Sequence, residues 1–257
     1  MKLAILGGAG RMGRMLIDCA GEMGLQVVAV TEIPGSDVIG KPATAEGVCF
    51  QSTWPEQADA VIDFTSHTCV IGNLANAVRC HQTYVLGTTG LSEAELAAVA
   101  DASEKIPLCF APNFSLGVNL LLELVRRAAS VLDATYDAEI VEMHHKHKKD
   151  APSGTALGLA QALAKGRGVE LDTVATYGRQ GIVGERPQGE IGIHALRGGS
   201  VVGDHTVMFA ADEERVEITH KAVSRAAFAK GALKAAQWLS GKEPGLYNMR
   251  HVLGFEA

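Results

Sequence analysis

An apolar run near the start of the chain ends in a glycine-rich turn, and this turn constrains the fold more than any other feature. The run from Lys2 to Leu6 is typical of a short buried strand, and residues 8–13 then fit the pattern G-x-G-x-x-G. Apolar residues recur at helical spacing directly afterwards: Met12, Met15, Leu16, Cys19 and Met23. A strand, a glycine turn and a helix in this order are typical of a dinucleotide-binding βαβ unit.

Strand and helix signals alternate through the first 115 residues. Ser92, followed three residues later by Glu95, forms a capping-box pattern that predicts a helix start. Alternation of β and α with short loops predicts a Rossmann-type, doubly wound parallel sheet, with residues 1–115 as a dinucleotide-binding domain. The strands expected after the first are Gln26 to Val30, Ala60 to Phe64, Thr83 to Leu86 and Leu108 to Ala111.

The pattern changes after Asn113 and predicts a second, α+β domain over residues 116–223. Its later strands alternate apolar and polar residues, which favours a mixed or antiparallel sheet with one covered face. We interpret Tyr177 to Gly199 as a glycine-rich excursion towards a partner subunit. Ser224 is expected to cap a last helix that ends at Gly241, within a C-terminal segment of residues 224–257 that closes in a short tail. The other elements expected are a helix over 116–132, a strand over 139–143, a helix over 153–165 and strands around Val207, Phe209, Val216, Ile218 and His220.

The composition is that of an ordinary globular protein. Apolar residues make up 47% of the 257, charged residues 20%, and the net charge is −6, which argues against nucleic acid as a partner. No apolar run reaches the length of about 18 residues that a membrane span needs. The N-terminal run breaks into glycines too early for a signal peptide, and five cysteines without a CxxC motif do not suggest a disulfide framework, so we expect a cytoplasmic protein.

An acidic residue after the second predicted strand strengthens the nucleotide-binding interpretation. Glu32 lies nineteen positions after Gly13, where a carboxylate accepts hydrogen bonds from the adenosine ribose. The residues after it, Ile33-Pro34-Gly35, include no cation for a 2′-phosphate, which favours NADH while leaving NADPH possible. Two alternatives stay open: a tight βα turn without a ligand, and a second glycine register, Gly7-x-x-Gly10-x-x-Gly13.

A basic segment, residues 142–156, carries most of the information about chemistry. Three histidines and three lysines fall within residues 144–149 of an acidic protein. Pro152 interrupts the extended chain, and Ser153-Gly154-Thr155 then opens a helix whose unpaired N–H groups suit an anion. Cations beside a helix N-terminus indicate a small substrate with carboxylates, and a histidine can transfer a proton near neutral pH.

Other interpretations of the basic segment compete with catalysis. It could be a solvated turn, or His145 and His147 could share one face of a strand as metal ligands for a hydrolase. No third ligand is apparent and the lysines repel a cation, so we expect no metal. A nucleotide sensor would need the glycine turn and Glu32 without the basic segment. Oxidoreductases that use a thiol in the second domain are excluded, because the chain has no cysteine after Cys109.

The chain resembles the 4-hydroxy-tetrahydrodipicolinate reductase (dihydrodipicolinate reductase) family from about residue 3 onward. The pattern Glu-x-His-His-x-His-Lys-x-Asp-Ala-Pro-Ser-Gly-Thr-Ala is complete from Glu142 to Ala156, and Gly-Thr-Thr-Gly at 87–90 and Ala-Pro-Asn-Phe-Ser at 111–115 accompany it. The resemblance implies an NAD(P)H-dependent oxidoreductase of the diaminopimelate route to lysine. Members of this family reduce 4-hydroxy-tetrahydrodipicolinate to tetrahydrodipicolinate with loss of water, so the resemblance implies this reaction for the chain.

The resemblance also implies roles for individual positions. His144 and Lys148 correspond to the two catalytic proton donors, and His145, Gly154 and Thr155 to substrate contacts. Family members are usually homotetramers formed mainly through the second domain's sheet, and their C-terminal segment usually returns to the nucleotide domain. Members that accept NADPH well often carry arginine where this chain has Ile33. The positions that correspond to cofactor contacts are Gly7, Gly8, Ala9, Gly10, Arg11, Met12, Glu32, Gly87, Thr88, Thr89, Ala111, Pro112, Asn113 and Phe114.

Overall fold

The computed structural model describes residues 1–255, and the chain divides into two compact units. The first comprises residues 1–116 together with 225–257, and the second comprises residues 117–224. Within residues 1–255, no helix combines the length and the apolar character that crossing a membrane requires.

The first unit is built on a seven-stranded sheet in which every strand pair is parallel. The strand order is β12-β6-β5-β4-β1-β2-β3, so the chain reverses its direction of progress between β1 and β4. This reversal is the topological switch point at which doubly wound sheets bind ligands. The elements are β1 (Lys2–Leu6), α1 (Arg11–Glu22), β2 (Gln26–Thr31), β3 (Phe50–Gln51), β4 (Ala60–Asp63), α2 (Val70–Arg79), β5 (Thr83–Leu86), α3 (Glu93–Ser103), β6 (Pro107–Phe110), α7 (Ala226–Leu239), β12 (Gly245–Tyr247) and α8 (Met249–Val252).

Alternate residues of the central strands supply two cores, one on each face of this sheet. Leu3 and Ile5 pack with α1 and α7, whereas Ala4 and Leu6 pack with α2 and α3. Successive side chains of a strand point to opposite faces, so a continuous apolar run is the pattern of a strand covered on both sides. The predicted doubly wound parallel sheet is confirmed, as is the Ser92–Glu95 capping box at α3.

The second unit contains a five-stranded mixed sheet of order β11-β10-β7-β9-β8. β7 pairs antiparallel with β10 and parallel with β9, so the prediction of a mixed sheet in an α+β domain is confirmed. The elements are α4 (Leu116–Val131), β7 (Asp137–His144), α5 (Gly154–Arg167), α6 (Leu171–Val174), β8 (Ala175–Tyr177), β9 (Ile191–Arg197), β10 (Gly203–Ala210) and β11 (Arg215–Ala222).

One face of the mixed sheet forms the core of the second unit. Ala138 and Ile140 on β7 pack with Val207 and Phe209 on β10, under the apolar residues of α4 and α5. Burial alternates strictly along β7 and β10, as expected for a sheet with one covered face.

The interpretation of 177–199 as an irregular excursion is wrong for its second half, which forms β9. Gly192 and His194 interrupt the apolar pattern there. A Cβ built at Gly192 would lie 1.9 Å from Glu139 Oε2, and His194 Nε2 lies 2.7 Å from the same oxygen. These residues thus face a half-buried charge on β7, so the strand does not follow the alternation of apolar residues that sequence analysis recognises.

The C-terminal segment also differs from the expectation. The helix expected to be the last, α7, begins at Ala226 with Arg225 as its N-cap residue and ends at Leu239, so Ser224 does not occupy the cap position, and a further short helix, α8, follows it. The short tail contains a strand, β12, which extends the parallel sheet beside β6. A three-residue strand at a sheet edge leaves little periodicity in the sequence.

Candidate active site

In the glycine turn after β1, different glycines are required for different physical reasons. Gly7 adopts a left-handed conformation with φ of +66°, and its carbonyl accepts a hydrogen bond from the Gly10 N–H at 3.0 Å. A Cβ built at Gly13 would lie 2.3 Å from that same carbonyl oxygen, and one at Gly8 would lie 2.0 Å from Val30 Cγ1. The turn therefore needs glycine at positions 7, 8 and 13, which together include glycines of both overlapping registers.

Helix α1 directs its N-terminus out of this turn. Gly10 is the N-cap residue in extended conformation and supplies no capping side chain. The N–H groups of Arg11 and Met12 have no carbonyl within the helix to receive them. Together with the positive end of the helix dipole, they form a site for an anion such as a pyrophosphate.

Glu32, the residue directly after β2, is hydrogen-bonded to the glycine turn. Its Oε2 accepts from the Ala9 N–H at 3.1 Å, and its Oε1 accepts from the Ile33 N–H at 3.1 Å. Each oxygen keeps a lone pair for a hydroxyl donor. This is the acceptor geometry that the hydroxyl pair of a ribose requires.

A cleft of about 510 Å³ opens beside the glycine turn and Glu32 within the first unit. No lysine or arginine is among the described residues that line it. Trp54 and Asn73, which sequence analysis did not single out, also line this cleft. Its place at the carboxyl ends of β1 and β4 is the ligand position of doubly wound sheets, so the residues present fit a dinucleotide.

Asp63 at the end of β4 organises the floor of this cleft and was missed from the sequence. It is fully buried. Its carboxylate accepts from Tyr84 at 2.5 Å, Thr65 Oγ1 at 2.7 Å and Asn73 at 3.0 Å. Burial, followed by the charge of Asp63, raises the pKa of Tyr84 well above its ordinary value, so Tyr84 remains a donor. The sequence signal that could have identified Asp63 is an acidic residue at the end of an apolar run.

The other predicted cofactor residues follow β5 and β6 at the same edge of the sheet. A Cβ built at Gly87 would lie 2.2 Å from the Phe64 ring, and Thr88 Oγ1 donates to Asp63 Oδ1 at 3.3 Å, whereas Thr89 is exposed. After β6, Ala111 and Phe114 are buried. A pocket of about 280 Å³ in this region is lined by Arg11, Met12, Phe64, Pro112, Asn113, Phe114, Arg225 and Phe228, of which Phe64, Arg225 and Phe228 were not predicted as site residues.

The basic segment leaves β7 at His144 and turns immediately. His145 to His147 form a turn closed by the Lys148 N–H, which donates to the His145 carbonyl at 3.1 Å. The expectation that His145 and His147 share one face of a strand is therefore wrong, because the strand ends one residue earlier. Their rings lie 6.2 Å apart at 43°. Lys148 Nζ lies 2.9 Å from Asp150 Oδ2.

Helix α5 begins where the sequence predicts an anion-binding N-terminus. Ser153 is the N-cap residue, and its hydroxyl accepts from the Ala156 N–H at 3.2 Å. Gly154 and Thr155 form the first turn, and a Cβ built at Gly154 would meet no atom within 4 Å. The space outside this helix end is open to a small anionic group.

A buried carboxylate lies beneath the predicted catalytic histidine. Glu142 is fully buried, and it accepts from Arg197 through both oxygens at 2.9 Å each, from the Ser153 N–H at 3.0 Å and from His144 Nδ1 at 2.6 Å. Burial by itself raises the pKa of Glu142, but these hydrogen bonds outweigh burial and lower it. Glu142 is therefore ionised at neutral pH.

A second buried histidine packs against His144. The rings of His144 and His205 are edge-to-face with centroids 5.1 Å apart, and His205 Nε2 lies 3.1 Å from the Ser153 hydroxyl. Burial first, and the nearby His144 second, lower the pKa of His205 to about 4, so its ring is neutral at neutral pH. Arg197 and His205 come from β9 and β10, and no local motif marked them.

A parallel Rossmann sheet with a nucleotide-type glycine turn, followed by an α+β unit that carries the basic segment, is the architecture of an oxidoreductase built of two units. Two family models match consecutive parts of the chain: "Dihydrodipicolinate reductase, N-terminus" over residues 1–114 and "Dihydrodipicolinate reductase, C-terminus" over residues 117–253. The chain therefore belongs to the dihydrodipicolinate reductase family.

Similar proteins agree with this assignment. A 4-hydroxy-tetrahydrodipicolinate reductase from Thiobacillus denitrificans is 48% identical over 265 residues, which cover 100% of this chain and 99% of the relative. One from Granulibacter bethesdensis is 48% identical, covering 99% and 97%. The structure of dipicolinate-bound dihydrodipicolinate reductase from Paenisporosarcina sp. TG-14 is 25% identical with a TM-score of 0.77, covering 96% and 97%.

Proposed function

We propose that this protein reduces 4-hydroxy-tetrahydrodipicolinate to tetrahydrodipicolinate, with release of water, on the diaminopimelate route to lysine. The observation that carries the proposal is the arrangement within the basic segment. A histidine on a buried carboxylate, a lysine four residues later and an open helix N-terminus suit proton transfer to a small dicarboxylate.

The cofactor role falls to the first unit. The glycine turn from Gly7 to Met12 would hold a pyrophosphate, Glu32 the adenosine ribose, and residues 87–89 and 111–114 the nicotinamide half. A bound reduced nicotinamide supplies the hydride. NADH is the favoured form, because Glu32 carries negative charge and the residue beside it, Ile33, is 64% exposed and offers no cation to a 2′-phosphate.

Substrate binding falls to the start of α5. Thr155 adds a hydroxyl to the N–H groups of the first turn, and Gly154 leaves room for a carboxylate to approach them. His145, in the turn that follows β7, is the third residue proposed to contact the substrate. The structure with bound dipicolinate, a planar dicarboxylate, supports a substrate of this chemical class.

The reaction needs one proton for each hydride transferred, and His144 and Lys148 are the groups proposed to donate it. Lys148 is ion-paired with Asp150 and its side chain is 21% exposed, so it can exchange protons with solvent. His144 is nearly buried, which shields its charge interactions from water.

The assembly proposed is a homotetramer in the cytoplasm. The face of the mixed sheet that carries Glu139, Val141 and Met143 lies opposite the α4 and α5 side, and apolar side chains on the adjoining loop are exposed, Ile182 among them. All five cysteines lie in the described part of the chain and are free thiols, as a reducing compartment requires.

Turnover with freshly prepared 4-hydroxy-tetrahydrodipicolinate, followed by loss of nicotinamide absorbance, tests this function. We expect absorbance loss only with substrate and enzyme together, and a larger kcat/KM with NADH than with NADPH. Dipicolinate should compete with the substrate and not with the nucleotide. Absence of turnover with either nucleotide would refute the proposed reaction.

A further inference from the structure

We propose that Glu142 and Arg197 are positioning residues that commit His144 to a single tautomer, with Nε2 as the atom that exchanges the proton, and that Gly203 keeps the approach to Nε2 open. This inference rests on the proposed function, because it names the atom through which His144 acts. All four residues belong to the second unit.

The tautomer follows from the contact between His144 and Glu142. An ionised carboxylate only accepts hydrogen bonds, and its Oε2 lies 2.6 Å from Nδ1. Nδ1 must therefore carry a hydrogen in either charge state of the ring. The neutral ring then has its lone pair on Nε2, which alone can gain and lose a proton.

Arg197 and Ser153 keep Glu142 from turning or protonating. The guanidinium contacts both carboxylate oxygens in a forked arrangement, which fixes the plane of the carboxylate. Arg197 is itself held by the carbonyl of Asp150 at 2.6 Å. The Ser153 N–H adds a further donor to Oε1, so the acceptor beneath His144 has one orientation.

Gly203, the first residue of β10, marks the position of Nε2. A Cβ built at Gly203 would lie 2.9 Å from Nε2 and 3.4 Å from Cδ2 of the same ring. Real Cβ atoms do not approach this closely, so any side chain here would displace the ring from Glu142. Two residues further along β10, the His205 ring packs edge-to-face with the His144 ring and restricts rotation of the imidazole.

A matched pair of glutamate variants tests the role of the carboxylate. Glu123 on α4 is likewise buried and paired with arginines, at 2.8 Å from Arg126 and 2.6 Å from Arg127. Glu142→Gln should lower kcat by about 10²-fold or more, because an amide can donate to Nδ1 and favour the wrong tautomer. Its KM should change little, and Glu123→Gln should keep wild-type kcat.

The tautomer itself is read from ¹⁵N chemical shifts of histidine-labelled protein, with His144 assigned by the spectrum of His144→Asn. We expect the Nδ1–H form in the wild type and in Glu123→Gln, and its loss in Glu142→Gln. An Nε2–H tautomer in the folded wild type would overturn the inference, as would Glu142→Gln with wild-type kcat. The spectrum is independent of turnover, so it decides the inference even if the proposed reaction fails.

Two glycine variants provide a second test that leaves the residues Glu142 and Arg197 unchanged. A Cβ at Gly198 would lie 2.9 Å from the Met143 Cε methyl, a flexible end, whereas the Cβ at Gly203 meets the imidazole at the same distance. Gly203→Ala should lower kcat by about tenfold or more, since a group acting in the transition state is displaced. Gly198→Ala should stay near wild type, and equal kcat in the two variants would contradict the role of Gly203.

Discussion

Glu32 accepts a hydrogen bond from the backbone N–H of Ala9 at 3.1 Å, across 23 residues of sequence. The acid proposed to discriminate between nucleotides is thereby tied to the turn proposed to hold the pyrophosphate. We therefore expect cofactor preference to depend on the first unit alone, so that a charge placed beside Glu32 acts on the nucleotide without disturbing the basic segment.

Ile33→Arg is expected to lower the KM for NADPH by about tenfold, which corresponds to roughly 1.4 kcal/mol of added charge interaction. The KM for NADH should change little, because the arginine has no phosphate to contact. Steady-state kinetics with both nucleotides measures this. Val131→Arg, which adds the same charge at an exposed position of α4, serves as the control. A wild type that strongly prefers NADPH would contradict the reasoning.

Gly13→Ala and Gly21→Ala should have opposite effects although both lie in α1. The first places a methyl 2.3 Å from the Gly7 carbonyl oxygen, and the second meets nothing within 4 Å. We expect Gly13→Ala to lose about 1–3 kcal/mol of stability by overpacking and to bind NADH more weakly. Gly21→Ala should gain about 0.5–1 kcal/mol from helix propensity. Urea unfolding and fluorescence titration with NADH measure the pair, and unchanged NADH affinity in Gly13→Ala would argue against the turn as a nucleotide site.

His144→Ala and Lys148→Ala should each lower turnover by about 10²- to 10⁴-fold, the usual effect of removing a positioned proton donor, while NADH still binds. Thr155→Ala should mainly raise KM, since its contact with a carboxylate exists before the chemistry. Lys149→Ala, at an exposed lysine next to Lys148, is the matched control. Near-normal turnover in both catalytic variants would remove the basic segment as the reaction centre.

The stability of the folded protein should fall in mild acid because of His205. Its pKa is lowered from 6.5 to about 4, mainly by burial. Between these two pKa values the unfolded chain binds a proton that the folded chain does not. The contribution of neutral His205 to the free energy of unfolding is therefore fully present above the unfolded pKa and decreases as the pH falls towards the folded pKa. From pH ~7.5 to pH ~5, the free energy of unfolding of His205→Gln should decrease by about 2 kcal/mol less than that of the wild type. Urea unfolding at both pH values tests this, with the exposed His147→Gln as control. Equal decreases in the free energy of unfolding of the wild type and His205→Gln would contradict the prediction.

Sedimentation at micromolar concentration should show a species of four chains. Ile182 is fully exposed on the loop before β9, and Ile182→Asp should shift the distribution towards smaller species by placing a charge in an apolar contact. Asp212→Asn, which alters charge at an exposed position between β10 and β11, is the control. A wild type that is active and monomeric would rule out the tetramer.

Local patterns in the chain were sufficient for the parallel sheet and most of its helices. The runs around Ile5, Val30, Ile62 and Val85 are apolar on both faces, and turn residues separate them. Such signals depend on neighbours within a few residues. They failed for β9, which faces a charge cluster, and for β3, β8 and β12, which are edge strands of two or three residues, because such strands do not need a regular apolar alternation.

The motif of the basic segment likewise identified His144, Lys148, Gly154 and Thr155 as site residues from the sequence, and their roles remain predictions. Within that motif Glu142 had no assigned task, because its partner Arg197 lies 55 residues further along the chain. Nothing in the local sequence indicates that the two side chains meet.

The sequence by itself determined the order of elements, the glycine turn and the residue types available for chemistry, because these depend on local backbone preferences and short-range periodicity. Tertiary structure decided how those side chains are used. Pairing of β7 with β9 and β10 brings Arg197 and His205 to Glu142 and His144. Burial in this arrangement fixes Glu142 as a hydrogen-bond acceptor and keeps His205 neutral. The reason is that charge and hydrogen-bond energies depend on which groups replace water around a side chain.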